Sequence, residues 1–583
     1  MAIQLSCFSS LSRWVCAVSF FLLLAGCGGG GSGNVSPDPG QPPPGPAPAT
    51  VTVSGKITFD RIPFDSVLGS GLNPNAAVES PARGIVVEAI NGTSVVATAI
   101  TNASGDYSLS VPSNAQLFIR AKAQMLKTGS APTWNFRVLN NVNGDALYVL
   151  DGSTFNSGAA NSTRNLRAAS GWNGTSYANA RAAAPFAILD TIYQAAGLVA
   201  SVAPTSAFEP LNLFWSPSNR AGTVDPNGNA IICIDQGDIQ TTSYVSGQDT
   251  DHCNGQILPG IYVLGAFEQG SGPNVSADTD EFDQHVLAHE FGHYIEDKFS
   301  RSDSIGGDHF DGAKLDLRLA FGEGWGNAFA GMVLNDPVYR DSFGGMASDF
   351  HIDLEQDDTN FGDGGWYSET SVGEILWDLF DATNESGDAI TLGFGPIFQA
   401  LSDGQRTTPA LTSIFSFLEA LRNAVPGQSA AINQLRNGEQ ISGTDEFGSG
   451  ETNNGGDAST LPIYQPVLLN GGQQRVCVRG TNGEVNKLGN RKFFRLDLAN
   501  PALVSISVVS AVDPGTPGST AAEDPDIYVH RQGQIIAFGL NTGASETITQ
   551  TSFPAGTYII EVLDFELTTG DPPRCMTVNV QGA

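Results

Sequence analysis

The chain has 583 residues, 68 of them Gly and 32 Pro, with 28 Lys+Arg against 60 Asp+Glu and a formal charge of −32. That acidity excludes docking on a phosphate backbone, so no nucleic-acid partner is expected, and it has the wrong sign for electrostatic binding to anionic lipid. The length gives room for about three or four domains, 41% hydrophobic residues can fill their cores, and collagen, coiled coil and full disorder are excluded on composition.

Residues 1–26 carry one charged residue, Arg13, and an apolar stretch over 14–24 that ends in Leu24-Ala25-Gly26-Cys27. The stretch is too short to span a bilayer as a mature helix and reads as an export signal. Residues 27–50 then run through a Gly stretch into a Pro-rich one, flexible at first and extended afterwards, as a tether would be. The small residues before Cys27 resemble the lipobox of bacterial lipoproteins. That resemblance implies cleavage before Cys27, lipid on Cys27 and attachment of an exported protein to a membrane. Gly28 is not the aspartate that favours inner-membrane retention, so the outer membrane is expected. An ordinary secretory signal is the alternative. Beyond Cys27 the cysteines are Cys233, Cys253, Cys477 and Cys575. An even number in an exported protein suggests two disulfides, and Cys233–Cys253 with Cys477–Cys575 keeps each bridge inside one domain.

Residues 51–125 read as strands: an alternating run over 51–59, another over 84–90, and two more over 93–112 joined by an Asn-Ala-Ser-Gly-Asp turn. They suggest a small β-sandwich, and Gly105-Asp106-Tyr107-Ser108-Leu109 resembles the carboxypeptidase regulatory-like domain. Residues 126–445 mix strands with helices expected at 180–200, 282–299, 317–334, 372–382 and 411–425, and form the candidate catalytic body. Residues 446–461 are polar and Gly-rich, as a linker would be. Residues 462–583 return to strands, and Asp524-Pro525-Asp526-Ile527-Tyr528-Val529 with Ala555-Gly556-Thr557-Tyr558 resembles the bacterial pre-peptidase C-terminal domain. The fold expected is thus multidomain: an α+β body over 126–445 flanked by two all-β sandwich modules.

The chemistry concentrates in His289-Glu290-Phe291-Gly292-His293, in a chain with only seven histidines. On a helix the two histidines lie one turn apart on one face, the spacing that lets two neutral imidazoles hold one zinc ion. Glu290 sits about 100° around the helix, where it can take a proton from a water acidified by the metal and pass it to the leaving amine. Asp278, Asp280, Glu281 and Asp283 crowd the expected helix start, where the helix dipole favours anions. His285, one turn earlier, reads as a rim or supporting residue.

Zinc needs a third protein ligand. Glu323 stands within AFGEGWGNAFAGMVL, an apolar helical run where a carboxylate is costly unless bound or paired. His309, Asp316 and His351 are the rivals. HExxH followed by Gly322-Glu323-Gly324-Trp325 resembles the fungalysin-type gluzincins, relatives of thermolysin. The resemblance implies a zinc metalloendopeptidase acting on protein or peptide substrates, with Glu323 as third ligand. It also implies an acidic residue at the position of Asn327 to orient a ligand histidine, and an oxyanion-supporting histidine where this chain has Thr370. Tyr367, His309 and His351 are the candidates to replace that histidine.

Three further expectations follow. The strand at 261–264 is a candidate edge for aligning a peptide by β-addition. Asp358, Asn360, Gly362 and Glu369 stand at positions 1, 3, 5 and 12 of an EF-hand-like loop, though Gly362 and Asp363 reverse the required order; calcium and a solvated acidic turn are the alternatives there. Two other functions compete with the endopeptidase: a zinc exopeptidase, and a non-catalytic adhesin or binding lipoprotein with a relic metallopeptidase body.

Overall fold

A computed structural model describes residues 49–224, 230–267, 277–356, 364–382 and 389–582. The signal, Cys27, most of the tether and the residues Asp358, Asn360 and Gly362 lie outside the described residues.

The alternating N-terminal segments form strands β1 (Thr50–Arg61), β2 (Ile85–Asn91), β3 (Ser94–Ile100), β4 (Asp106–Pro112), β5 (Gln116–Lys127) and β6 (Trp134–Asn140). The turn before β4 is built by Asn102, whose Oδ1 accepts from the backbone N–H groups of Ser104 and Asp106, with Gly105 at φ +78°. The apolar run after Ala183 forms helix α1 (Ala184–Val202), with Pro near its start. It is long and apolar enough to cross a membrane, yet most of it is buried within the protein, against β5, β6 and the helices that follow. Next come β7 (Leu211–Trp215), β8 (Ser243–Val245) and β9 (Gly260–Val263). Helices α2 (Gln284–Phe299) and α3 (Leu317–Leu334) lead through the hairpin β10 (Val338–Phe343) and β11 (Ser348–Asp353) to α4 (Glu369–Phe380).

The expected domain boundary at residue 125 is absent. One sheet runs β8-β9-β7-β6-β5-β2-β3, so strands on both sides of residue 125 share a ladder. β5 itself crosses the boundary, pairing with β2 on one side and β6 on the other, and β1 pairs with segments near residues 162–168. The residues 51–125 are therefore no detached sandwich. Their inward residues, such as Ile119 and Ala121, join the same core as Phe291 of α2 and Trp325 of α3.

Residues 464–582 do form a two-sheet sandwich. One sheet orders Tyr464–Val467, Arg491–Leu498, Gly556–Asp564, Pro525–Arg531 and Gln534–Gly539. The other is built on Gln474–Val478, Arg574–Gly582, Ala502–Ser510 and Ser545–Phe553. Between them lies a separate core that includes Phe494, Val504, Ile560 and Val578. The molecule is thus multidomain and β-rich, with its helices gathered in the middle of the chain.

Two features join the sandwich to the body. The expected linker, 446–461, is fixed rather than free: Glu451 accepts from the backbone of Ser442 and Gly443, and Trp366 donates to the Asn453 carbonyl at 2.8 Å. Arg318, buried in the first turn of α3, pairs with Asp316 at 2.8 Å and with Glu561 of the sandwich at 2.9 Å. Disulfides join Cys233 to Cys253 and Cys477 to Cys575, both as expected.

Candidate metal centre

α2 and α3 cross closely because glycines meet at the crossing. A Cβ added at Gly292 would lie 3.4 Å from the Gly326 Cα. Trp325, fully buried, fixes the crossing by donating its Nε1–H to the Gly292 carbonyl at 2.9 Å. α3 begins on Asp316, whose side chain accepts from the Arg318 N–H. That capping role, with the ion pair to Arg318, removes Asp316 from the set of rival ligands.

The crossing brings His289, His293 and Glu323 together. The two Nε2 atoms are 3.0 Å apart, and they lie 3.2 and 3.3 Å from Glu323 Oε2. Those separations match the roughly 3.3 Å edge of a tetrahedron with bonds of about 2.0 Å. The donor chemistry fits as well. His289 Nδ1 is 2.8 Å from Asn327 Oδ1, an acceptor, so the proton sits on Nδ1 and the Nε2 lone pair faces inward. Asn327 thus fills the orienting position without a charge. Lone pairs and a carboxylate converging in a buried space suit a zinc ion, which these three side chains would hold.

Glu290 is buried beside them, and its Oε2 accepts from the Tyr244 N–H at 2.6 Å. Burial raises its carboxyl above the usual range, against the opposing pull of His289 and His293. For Glu323 burial opposes ionisation, yet the imidazoles of His309 and His293 hold it well below the usual range. Burial likewise works against a charge on His293, but Glu323 outweighs it and lifts the group to about 9.

Among the candidates to replace the histidine at Thr370, His309 alone is brought to the trio. Its Nε2 lies 3.3 Å from Glu323 Oε2, and its Nδ1 lies 2.8 Å from Glu369 Oε2. Burial is again outweighed, here by Glu323 and Glu369, and the imidazole is raised to about 10. His351 sits on β11 beside Asp349 at 3.5 Å. The Tyr367 hydroxyl turns to Gly364 and Asn453. Thr370 itself bonds Asp311. His285 points to the Asp336 carbonyl at 3.3 Å and packs near Tyr339.

One expectation needs correction. The strand at 261–264 is no edge: β9 lies between β7 and β8. Among the described residues the edge is β8, which also supplies the Tyr244 N–H to Glu290. The acidic run does stand directly before α2, as expected. Asp283 stands at the N-cap position without a capping bond, and its Oδ2 accepts instead from the Ser342 N–H at 2.6 Å. Neither the backbone donor of Tyr244 nor the packing of His309 leaves a local signature in the sequence.

Comparison with known proteins adds a family link. The family profile of the mycolysin C-terminal domain matches residues 265–415, which contain α2, α3 and α4. None of the curated proteins matches the chain. Among solved structures, the pre-peptidase C-terminal domain of a collagenase from Bacillus anthracis is 13% identical, covering 20% of this chain and 93% of its own, at a TM-score of 0.15. CorA, a surface-associated copper-binding protein of Methylomicrobium album BG8, is 14% identical over 21% of this chain and 98% of its own, at 0.14. Those scores are too low to assign a fold. The two disulfides suit an exported or extracellular protein. The match over residues 265–415 makes the chain a peptidase-associated protein, similar in that segment to the mycolysin C-terminal domain.

Proposed function

We propose that the chain is a zinc-dependent metalloendopeptidase of the gluzincin kind, exported and anchored to a membrane through lipid on Cys27. The observation that carries this reading is the convergence of His289, His293 and Glu323 on one point, with Glu290 one residue along the same helix from His289. Bound zinc supplies Lewis acidity, polarising the scissile carbonyl and bringing the pKa of water down toward about 7.

The rest is the work of the chain's own side chains. Glu290, raised by burial, accepts the proton of the attacking water at a carboxylate oxygen and delivers it to the leaving amine. The Tyr244 N–H holds that carboxylate in place. His309, whose Nδ1 is tied to Glu369 Oε2 at 2.8 Å, is placed to offer its Nε2–H to the oxygen on which negative charge develops. β8 pairs on one side only among the described residues, with β9. An extended substrate adding to its other edge would run past Glu290 and leave its side chains to alternate between protein and solvent.

Casein cleavage by Glu290→Gln tests the reading. The variant keeps the shape and the metal but lacks the base, and turnover is expected to fall by roughly 10²–10⁴. Unchanged proteolysis in that variant, or in protein stripped of zinc, refutes it.

A further inference from the structure

The loop that delivers His309 to the trio has no frame of its own. Residues 301–310, between α2 and α3, form neither helix nor strand. Gly306 and Gly307 stand side by side in it at φ +60° and +95°, in the left-handed region that a backbone without Cβ enters freely. Holding such a stretch in one conformation costs entropy at every residue, so its polar groups must be tied to something firmer.

The two ends of the loop are tied to the body. Arg301 donates to the carbonyls of Thr408 and Ala410, and Asp311 accepts from the Thr370 hydroxyl. The middle is tied to the trailing sandwich. Asn486 Nδ2 donates to the Gly306 carbonyl at 2.8 Å and to the Asp308 carbonyl at 3.1 Å, and Lys487 Nζ donates to the Asp308 carbonyl as well. The carbonyls on both sides of Gly307 thus end on the sandwich. The approach leaves no room for a side chain: a Cβ at Gly307 would stand 2.7 Å from Asn486 Nδ2.

Asn486 and Lys487 belong to the connection between the sandwich strands Gln474–Val478 and Arg491–Leu498. That connection is itself braced. The Lys487 N–H donates to Asn490 Oδ1 at 2.7 Å, and Asn490 Nδ2 donates to the carbonyls of Arg479 and Gly483. It also grips the approach to α3, for the Asp316 N–H donates to the Asn486 carbonyl at 2.8 Å and the Leu488 N–H to the Lys314 carbonyl at 2.9 Å. One short segment of the sandwich therefore holds both the His309 loop and the start of the helix that carries Glu323. Asn486 is 2% exposed and Lys487 9%. Among the described residues Lys487 makes no ion pair, and its ammonium is spent on the Asp308 carbonyl and on Asn486 Oδ1. Burying a charge for two neutral acceptors is costly, and the held loop is what the molecule gains from it.

We propose that Asn486 and Lys487 are positioning residues for His309, which on the peptidase reading offers its Nε2–H to the developing charge. The bond from Nδ1 to Glu369 sets the tilt of the ring, and the two sandwich side chains fix the backbone one residue before it. A misplacement of about 1 Å can cost about 10²-fold in rate. The trailing sandwich is on this account a working part of the centre.

Kinetics and hydrogen exchange on the full-length, zinc-loaded protein test this. Lys487→Met keeps the stem and removes the donor, and Asn486→Ala removes the other. Each should lower kcat for a peptide substrate by roughly 10- to 100-fold, with KM and zinc content close to wild type. In the His309→Ala background the same substitutions should change kcat less than about twofold, because the group they position is gone. Backbone amides over 304–311 should exchange faster in both variants while those of α2 keep their protection. Should one variant fail to fold, the other decides alone. Wild-type kcat, equal losses with and without His309, or unchanged exchange over 304–311 overturns the positioning role and leaves the peptidase reading standing. A wild type without zinc-dependent cleavage overturns that reading, and this role with it.

Discussion

Gly326→Ala is a test of how tightly α3 supports the face of α2 that carries His289 and His293. A Cβ at Gly326 would stand 2.7 Å from Cε1 and Nδ1 of His289 and 2.8 Å from its Nε2. Carbon contacts settle at about 3.5 Å or more, so ring and helix must part by about 0.8 Å. Neither yields easily. The ring is buried, held at Nδ1 by Asn327 and flanked by Tyr339, and α3 is pinned at the Gly292 contact by Trp325. Overpacking of this kind costs about 1–3 kcal/mol, against a gain of about 1 kcal/mol for replacing Gly by Ala within a helix. Folding stability should therefore change little, by about 0–2 kcal/mol. Displacing one ligand should weaken zinc binding about 10- to 100-fold, the usual effect of disturbing a ligand's support. Gly322→Ala is the matched control. It lies on the same helix, but its Cβ would meet nothing closer than 3.6 Å, so zinc affinity should stay at the wild-type value. Competition against a fluorescent zinc chelator measures both variants. Wild-type zinc affinity in Gly326→Ala, or equal losses in the two variants, would refute the reasoning.

Glu323→Ala should lower zinc affinity by orders of magnitude, whereas His309→Ala should keep close to one zinc per chain and lose about 10²-fold in kcat; metal analysis after dialysis against a weak chelator, beside peptide hydrolysis, separates the two roles. Zinc must displace a proton that Glu323 helps hold on His293 up to about 9, so zinc affinity should rise with pH between 6 and 9, and calorimetry in buffers of different ionisation enthalpy should count the released proton. An affinity independent of pH over that range contradicts the arrangement. Cys27→Ser should move the protein from the membrane fraction to the soluble one while it stays folded, and membrane retention in that variant would mean that something other than lipid holds it.

How much of this was legible in the sequence depends on how local each feature is. His289, Glu290 and His293 declare themselves because helical geometry alone puts them on one face. Glu323 is legible because a carboxylate amid Phe321, Trp325 and Phe329 needs a reason to be there. His309 and Glu369 are 60 residues apart in the chain and meet only because the loop before α3 folds over the start of α4. The boundary at residue 125 misled because strand composition does not tell which neighbour a strand will pair with: β5 reads the same whether its partner is β2 or β6. The stretch 446–461 has the composition of a linker, yet single side chains such as Glu451 and Asn453 fasten it to the body. The acids at 278–283 read as anions at a helix start, and only three dimensions add Asp341 to them.

The Arg318–Glu561 pair has a consequence for how this protein can be cut. Detachment of the sandwich would take Glu561 away from Arg318 in the first turn of α3 and leave the guanidinium to Asp316 and water. Five residues further along that helix stands Glu323. Arg491 and His530, which also converge on Glu561, would be lost with the fragment. A nick anywhere in 446–461 followed by dissociation would thus strip one anchor from the helix that carries Glu323. On the peptidase reading proposed above, the trailing domain would thereby tie the support of that helix to the intactness of the chain.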